Sequence, residues 1–219
     1  MSVRLGSITA LLAALLLALA VQSAAGDDFT IDSSTLRLVI GEVAFAEANR
    51  EGPTCPVTLE GTFPSPLIAK VWDSEIGEVT SASIGACTGG SRASVTFLTF
   101  PWRLKYESYW FALPEIEEIR VGIVGLGYKL RYPSGSECTY QAPTEGTPPE
   151  EAFLGVRPYF SLEREWIAGE GRIKHVELHD DYVYNTRGSG CLASGGFEFR
   201  ERESITPRGS TSAIHVLTF

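Results

Sequence analysis

From Thr35 to its last residue the chain repeats one pattern: short runs in which apolar and polar residues alternate, each ended by glycine, proline, serine or aspartate. Residues 35–40, 57–63, 93–98 and 102–106 either alternate with period two or are rich in β-branched and aromatic side chains, as strands with one buried face are. Residues 116–124 and 126–132 read as a strand pair separated by little more than Gly125, and residues 132–136 read as a turn before a strand at Cys138. Further strand-like runs lie at 157–166, 172–179, 195–200 and 213–219. No sustained helical stripe is present, and the best helical candidates, residues 67–72 and 150–154, are short. The pattern therefore predicts an all-β fold, an antiparallel β-sandwich or partly open barrel with little helix after the N-terminal segment.

That segment has the form of a secretory signal peptide: an early Arg4, an apolar run over 8–21, then small residues and a switch to acid at Asp27 and Asp28. The run is shorter than the about 20 residues of a membrane span, and small residues at Ser23 and Ala25 fit cleavage after Ala25. Residues 1–25 are thus expected to be removed. Residues 26–219 then form a secreted, extracellular chain with no membrane span. Residues 141–150, rich in Pro, Thr and Glu, are the only linker-like stretch. One sandwich built from both sides of it is expected, with two small β domains, 26–140 and 151–219, as the alternative.

Four cysteines, Cys55, Cys87, Cys138 and Cys191, lie in the exported part without any Cys-x-x-Cys spacing, so two disulfides are expected in place of zinc or thiol chemistry. Four cysteines allow three pairings, and sequence does not choose among them. Because Cys87 and Cys138 each adjoin a Gly/Ser-rich turn, the pairing taken forward is Cys87 with Cys138 and Cys55 with Cys191. The net charge of −9 is spread along the chain, which speaks for solubility and against nucleic acid or anionic lipid as partner.

The succession Cys55-Pro-Val-Thr-Leu-Glu-Gly-Thr-Phe63, Ile68-Ala-Lys-Val71, Val79-Thr-Ser-Ala82, Cys87-Thr-Gly-Gly90, Leu98-Thr-Phe-Pro-Trp102, Leu113-Pro-Glu-Ile116 and Cys138-Thr-Tyr140 resembles a loose group of uncharacterised exported proteins of high-GC Gram-positive bacteria. The resemblance covers Cys55 to Tyr140 and is carried by turns, strands and cysteine positions. It implies a secreted β protein and brings no activity, ligand or catalytic residue with it.

The stretch most like chemistry is Ile173-Lys-His-Val-Glu-Leu-His-Asp-Asp181, which holds two of the three histidines. On a strand, His175 and Glu177, or Glu177 and His179, would share a face about 7 Å apart, with the histidines about 13 Å apart, so neighbours could chelate one ion but the three together could not. On a helix His175 and His179 would meet, yet Glu177 is one position late for His-Glu-x-x-His, and a third ligand would have to come from Asp180, Asp181 or His215. The metal reading is therefore His175, Glu177, His179 and Asp181; the plainer account is a solvated strand face ending in an Asp-Asp turn. Asp180, Asp181 and Asn185 lack the spacing of a calcium loop. Gly122, Gly125 and Gly127 match no nucleotide-binding loop and fit a turn or bulge.

The densest aromatic stretch runs from Trp102 to Phe111. Trp102, Leu104 and Tyr106 share a face and read as core, whereas Tyr109, Trp110 and Phe111 are consecutive, so one of them must point away from its neighbours. An outward Tyr109 or Trp110 would suit a glycan or protein ligand. No Gly-x-Ser-x-Gly elbow is present, and Glu115, Glu117, Glu118, Glu163 and Glu165 show no pairing for glycoside hydrolysis. The sequence thus predicts a secreted, non-catalytic binding or structural module with no cofactor, extracellular or envelope-associated. The alternative is a small metal-dependent hydrolase centred on His175, Glu177 and His179.

Overall fold

The computed structural model describes residues 28–47, 50–89, 93–98, 100–110, 118–142, 159–167, 170–179, 182–199, 205–210 and 214–218. Every element in them is a strand. In chain order these are β1 (Asp28–Ile31), β2 (Thr35–Glu47), β3 (Arg50–Thr62), β4 (Leu67–Ala69), β5 (Glu75–Ile84), β6 (Ser94–Phe97), β7 (Trp102–Trp110) and β8 (Glu118–Val124). There follow β9 (Gly127–Arg131), β10 (Glu137–Gln141), β11 (Tyr159–Ile167), β12 (Glu170–His179), β13 (Tyr182–Arg187), β14 (Ser194–Phe199), β15 (Ile205–Thr206) and β16 (His215–Thr218). They form one antiparallel sheet in the order β4-β1-β16-β12-β11-β8-β7-β5-β3-β2-β14-β13-β10-β9-β6, with β15 added beside β2.

The sheet bends on itself because its apolar positions lie on one face and must meet. At one limb Phe97 of β6 returns to Trp102 of β7, ring centroids 5.1 Å apart, and to Phe45 of β2 at 5.8 Å. At the other limb Leu162 and Val176, on β11 and β12, close over Leu36, Leu38 and Leu59, leaving a cavity of about 20 Å³ lined wholly by apolar side chains. That is room for about one water with no polar partner to hold it, so this part of the core is filled by side chains.

The long strands β2 and β3 run through both limbs, and bulges keep their faces in phase. On β2 the buried positions are Leu36, Leu38 and Ile40, then Val43 and Phe45. The parity changes across Gly41-Glu42, where the register slips by one residue between Ile40↔Val57 and Val43↔Cys55. Without the extra residue Val43 and Phe45 would face solvent. A matching slip on β3 falls at Gly52-Pro53, where proline has no N–H to give the ladder. A Cβ on Gly52 would run into the Phe45 carbonyl. Farther along, the buried Tyr128 hydroxyl lies 3.1 Å from the Ala46 carbonyl oxygen and 2.9 Å from that of Gly196, tying β9 to β2 and β14.

Strand content, antiparallel pairing and the two disulfides match the expectation from sequence; three local readings do not. Residues 67–72 are the edge strand β4 followed by a turn, not a helix, because residues 67–69 pair with β1 about forty residues upstream. Strands β8 and β9 follow one another but do not pair: Gly125, with φ +85°, turns the chain from the β7–β11 side to the β6–β10 side. The cysteines pair Cys55–Cys87 and Cys138–Cys191, which corrects the expected Cys87–Cys138 and Cys55–Cys191. The β3–β5 ladder continues past Val57↔Ile84 into reciprocal Thr54 and Thr88 backbone hydrogen bonds of 2.9 and 2.7 Å, which sets Cys87 beside Cys55. Likewise the β10–β13 ladder, with Thr139 opposite Arg187, carries Cys191 back to Cys138. The helical candidate at 150–154 lies outside the described residues.

Candidate ligand-binding surface

Among the described residues five large apolar side chains are exposed, and four of them belong to neighbouring pieces of backbone: Leu67 on β4, Val71 and Trp72 just after it, and Tyr109 on β7. Trp72 is the most open, at 72 %. Strand β4 reads exposed, buried, exposed, so Ile68 packs inward while Leu67 faces solvent. The chain then turns sharply over residues 71–74, with the Ser74 N–H donating to the Val71 carbonyl at 3.0 Å. Asp73 stands at φ +64° in the third place of this turn, the conformation that aspartate and asparagine tolerate better than other side chains.

Several contacts hold the turn. The Asp73 N–H donates to the Tyr106 carbonyl at 2.8 Å, and the Tyr106 N–H donates to the Ser74 carbonyl at 2.9 Å. The Ser74 hydroxyl donates to the Ala69 carbonyl at 3.2 Å. Lys105 Nζ meets Asp73 Oδ2 at 3.4 Å with the lysine side chain only 8 % exposed. Trp72 is therefore carried on backbone fixed from both sides, and a rigid aromatic loses little entropy when it binds.

Behind the turn lies an aromatic group. Phe29, fully buried, meets Tyr106 at 6.1 Å and Tyr109 edge-on at 6.2 Å. The Lys70 ammonium lies over the Phe29 ring at 4.6 Å and over Tyr109 at 5.8 Å. Burial, and then the neighbouring Tyr109, push the Tyr106 phenol up to about 12. Its hydroxyl thus stays neutral throughout the ordinary pH range.

The sequence singled out Tyr109 and Trp110. Tyr109 is part of the exposed group, while the Trp110 side chain lies outside the described residues, although its backbone pairs with Glu118. Trp72 was missed because Leu67, Ile68, Val71 and Trp72 are spaced like a helical face. The available signal was Asp-Ser directly after the tryptophan, a turn pair.

His175, Glu177 and His179 lie on β12, opposite Glu163, Ser161 and Tyr159 of β11. The helical version of the metal reading therefore does not apply, and an extended backbone sets the two histidines about 13 Å apart. Their side chains, and Asp181 as a whole, lie outside what is described. Among the described residues no group of three or more His, Cys, Asp or Glu is placed to hold a metal ion. Among them, too, no helix is long and apolar enough to cross a membrane.

No protein-family model, curated protein or solved structure matches the chain.

Proposed function

We propose that this is an exported, disulfide-stabilised β module of the extracellular space or cell envelope, acting by binding and not by catalysis, with Leu67, Val71, Trp72 and Tyr109 as its contact surface. The observation that carries the reading is Trp72, 72 % exposed on a turn that Asp73, Ser74, Lys105 and Tyr106 hold in place. An indole left in water at a fixed position is a poor use of apolar surface unless something covers it. The apolar leader over 8–21 and the two disulfides support export.

The test is to secrete the tagged chain and its Trp72→Ser variant from a bacterial host and compare how each divides between medium and envelope. Wild type should stay with the envelope and the variant should pass to the medium, with both showing the same thermal midpoint. Equal partition of the two would sink the reading.

A further inference from the structure

We infer that the outward face of β6, β9, β10 and β13 binds an anionic glycan, a chain of sugars that carry carboxylate or phosphate groups. This face lies at the end of the strand order away from β4, so the inference stands apart from the Trp72 surface and does not rest on it. Tyr128 and Leu130 of β9, and Cys138 and Tyr140 of β10, are buried in the core. Their neighbours along each strand therefore point outward. Register then sets two rows across the strands: Ser94, Arg131 and Glu137 in one, and Thr96, Lys129, Thr139 and Arg187 in the other. The longer row spans about 14 Å, and the two rows stand about 7 Å apart.

Charge sets this face apart. The four strands carry three cations, Lys129, Arg131 and Arg187, against the single carboxylate of Glu137, whereas the whole chain has 18 Lys and Arg against 27 Asp and Glu. Glu137 lies between the two β9 cations, with Oε2 3.4 Å from Lys129 Nζ and Oε1 3.4 Å from Arg131 Nε. Shared in this way it orients both cations but offsets only one of their two charges, and the Arg131 side chain is 67 % exposed. Arg187 adds a further charge on the same face. The Cys138–Cys191 bond joins β10 to the segment that follows β13, which keeps Arg187 in the row of Lys129. Cations fixed in this way lose little entropy when they bind.

The rest of the face selects among anions. Hydroxyls surround the cations: Ser94 and Thr96 on β6, and Ser134 and Ser136 in the turn between β9 and β10, are all exposed. Among the described residues, none of the five exposed large apolar side chains lies on these strands. A protein partner binds most of its energy through buried aromatic or apolar anchors, for which this face offers no counterpart. A nucleic acid duplex carries a charge about every 1.7 Å, and an anionic bilayer is a charged plane, so each would also meet the acidic remainder of the chain. A thin polymer charged on some of its sugars meets this face alone, and the hydroxyls serve its neutral groups.

The experiment measures how the disulfide-bonded protein is retained on immobilised polygalacturonate, poly(glycerol phosphate) and neutral dextran at about 0.05 and about 0.5 M salt. Wild type should bind one or both polyanions at low salt, leave them at high salt and ignore dextran. Which polyanion holds it tells whether carboxylate or phosphate is the charge recognised. Lys129→Gln/Arg131→Gln should bind about ten-fold more weakly, and Glu137→Gln, which removes the one carboxylate of the face, should bind more tightly than wild type. Glu42→Gln changes the total charge by the same amount from β2 and should bind as wild type does. If the double variant loses its folded near-ultraviolet spectrum, Arg131→Gln alone takes its place. Retention on neither polyanion, equal retention on dextran, a lysine and arginine variant that binds as wild type does, or a Glu137→Gln no tighter than Glu42→Gln each overturns the inference. Trp72→Ser should be retained like wild type, so failure of the Trp72 reading and failure of this one are told apart.

Discussion

Lys105 Nζ lies 3.4 Å from Asp73 Oδ2, joining a nearly buried ammonium on β7 to the turn residue that holds the exposed Trp72 in place. Asp73 therefore does two things: it supplies a counter-charge and it accepts φ +64°. Three substitutions separate these. Asp73→Asn keeps the backbone preference and should cost about 1 kcal/mol through the lost charge, a figure limited by the carboxylate's partial exposure. Asp73→Gly tests the same loss with free backbone, and Asp73→Ala, which also disfavours positive φ, should cost about 1 kcal/mol more than Asp73→Gly. Urea midpoints measure all three; equal losses would show that the backbone conformation contributes nothing.

Tyr106 gives a pH dependence of known sign. Its phenol moves from 10.0 in the unfolded chain to about 12 in the fold, first through burial and then through Tyr109. A group raised in the folded state stabilises in full below its unfolded value and loses that contribution as pH climbs to the folded one. Stability should therefore fall between about pH 10 and 12, and Tyr106→Phe should flatten that part of the curve. Thermal midpoints across the alkaline range provide the readout, and an unchanged slope in the variant would refute the assignment.

Trp102, Leu104 and Tyr106 were legible as core because a strand's period of two is a local property, and all three are buried. Lys105, between them and also buried, was not legible, because its cover comes from the turn at Asp73, 32 residues away in sequence. The same holds for β4. Leu67, Ile68, Val71 and Trp72 satisfy helical spacing, and only pairing of residues 67–69 with β1 makes the segment extended. Cysteine pairing was unreadable for a related reason: it follows from which strands become neighbours, and the adjacency of turns along the chain carries no information about that. The exposed face of Tyr109 was the one part of the contact surface visible beforehand.

The disulfides close loops of 32 and 53 residues, and chain entropy assigns about 4 kcal/mol to each, slightly more to the longer. Replacing Cys55 and Cys87 together by alanine, or Cys138 and Cys191 together, should lower stability by comparable amounts, with both Cys55 and Cys138 adding lost packing. Peptide mapping without reductant should recover Cys55 joined to Cys87 and Cys138 joined to Cys191. Recovery of a Cys87–Cys138 peptide would contradict the β3–β5 register.

For β12, the expected result is sub-stoichiometric metal in protein secreted and purified without chelator, and an unchanged content in His175→Ala/His179→Ala. Extended backbone separates these two residues by four positions, too far for one ion to bridge. Stoichiometric zinc lost in the double variant would reverse this and return the hydrolase alternative to the front.

Residues 141–150 offer a direct test of how the chain divides. Strands from after this stretch stand between strands from before it: β14 and β13 lie between β2 and β10, while β11 pairs with β8. The Cys138–Cys191 bond also crosses it. If the two parts make one folding unit, a protease site placed within 143–150 can be cut without separating the pieces. The cut chain should elute as a single species even after reduction and unfold in one transition, because each part alone would expose strand edges that the other now pairs. Two separately folded pieces after cutting and reduction would instead establish two domains, and would require the strand order between β2 and β10 to be wrong.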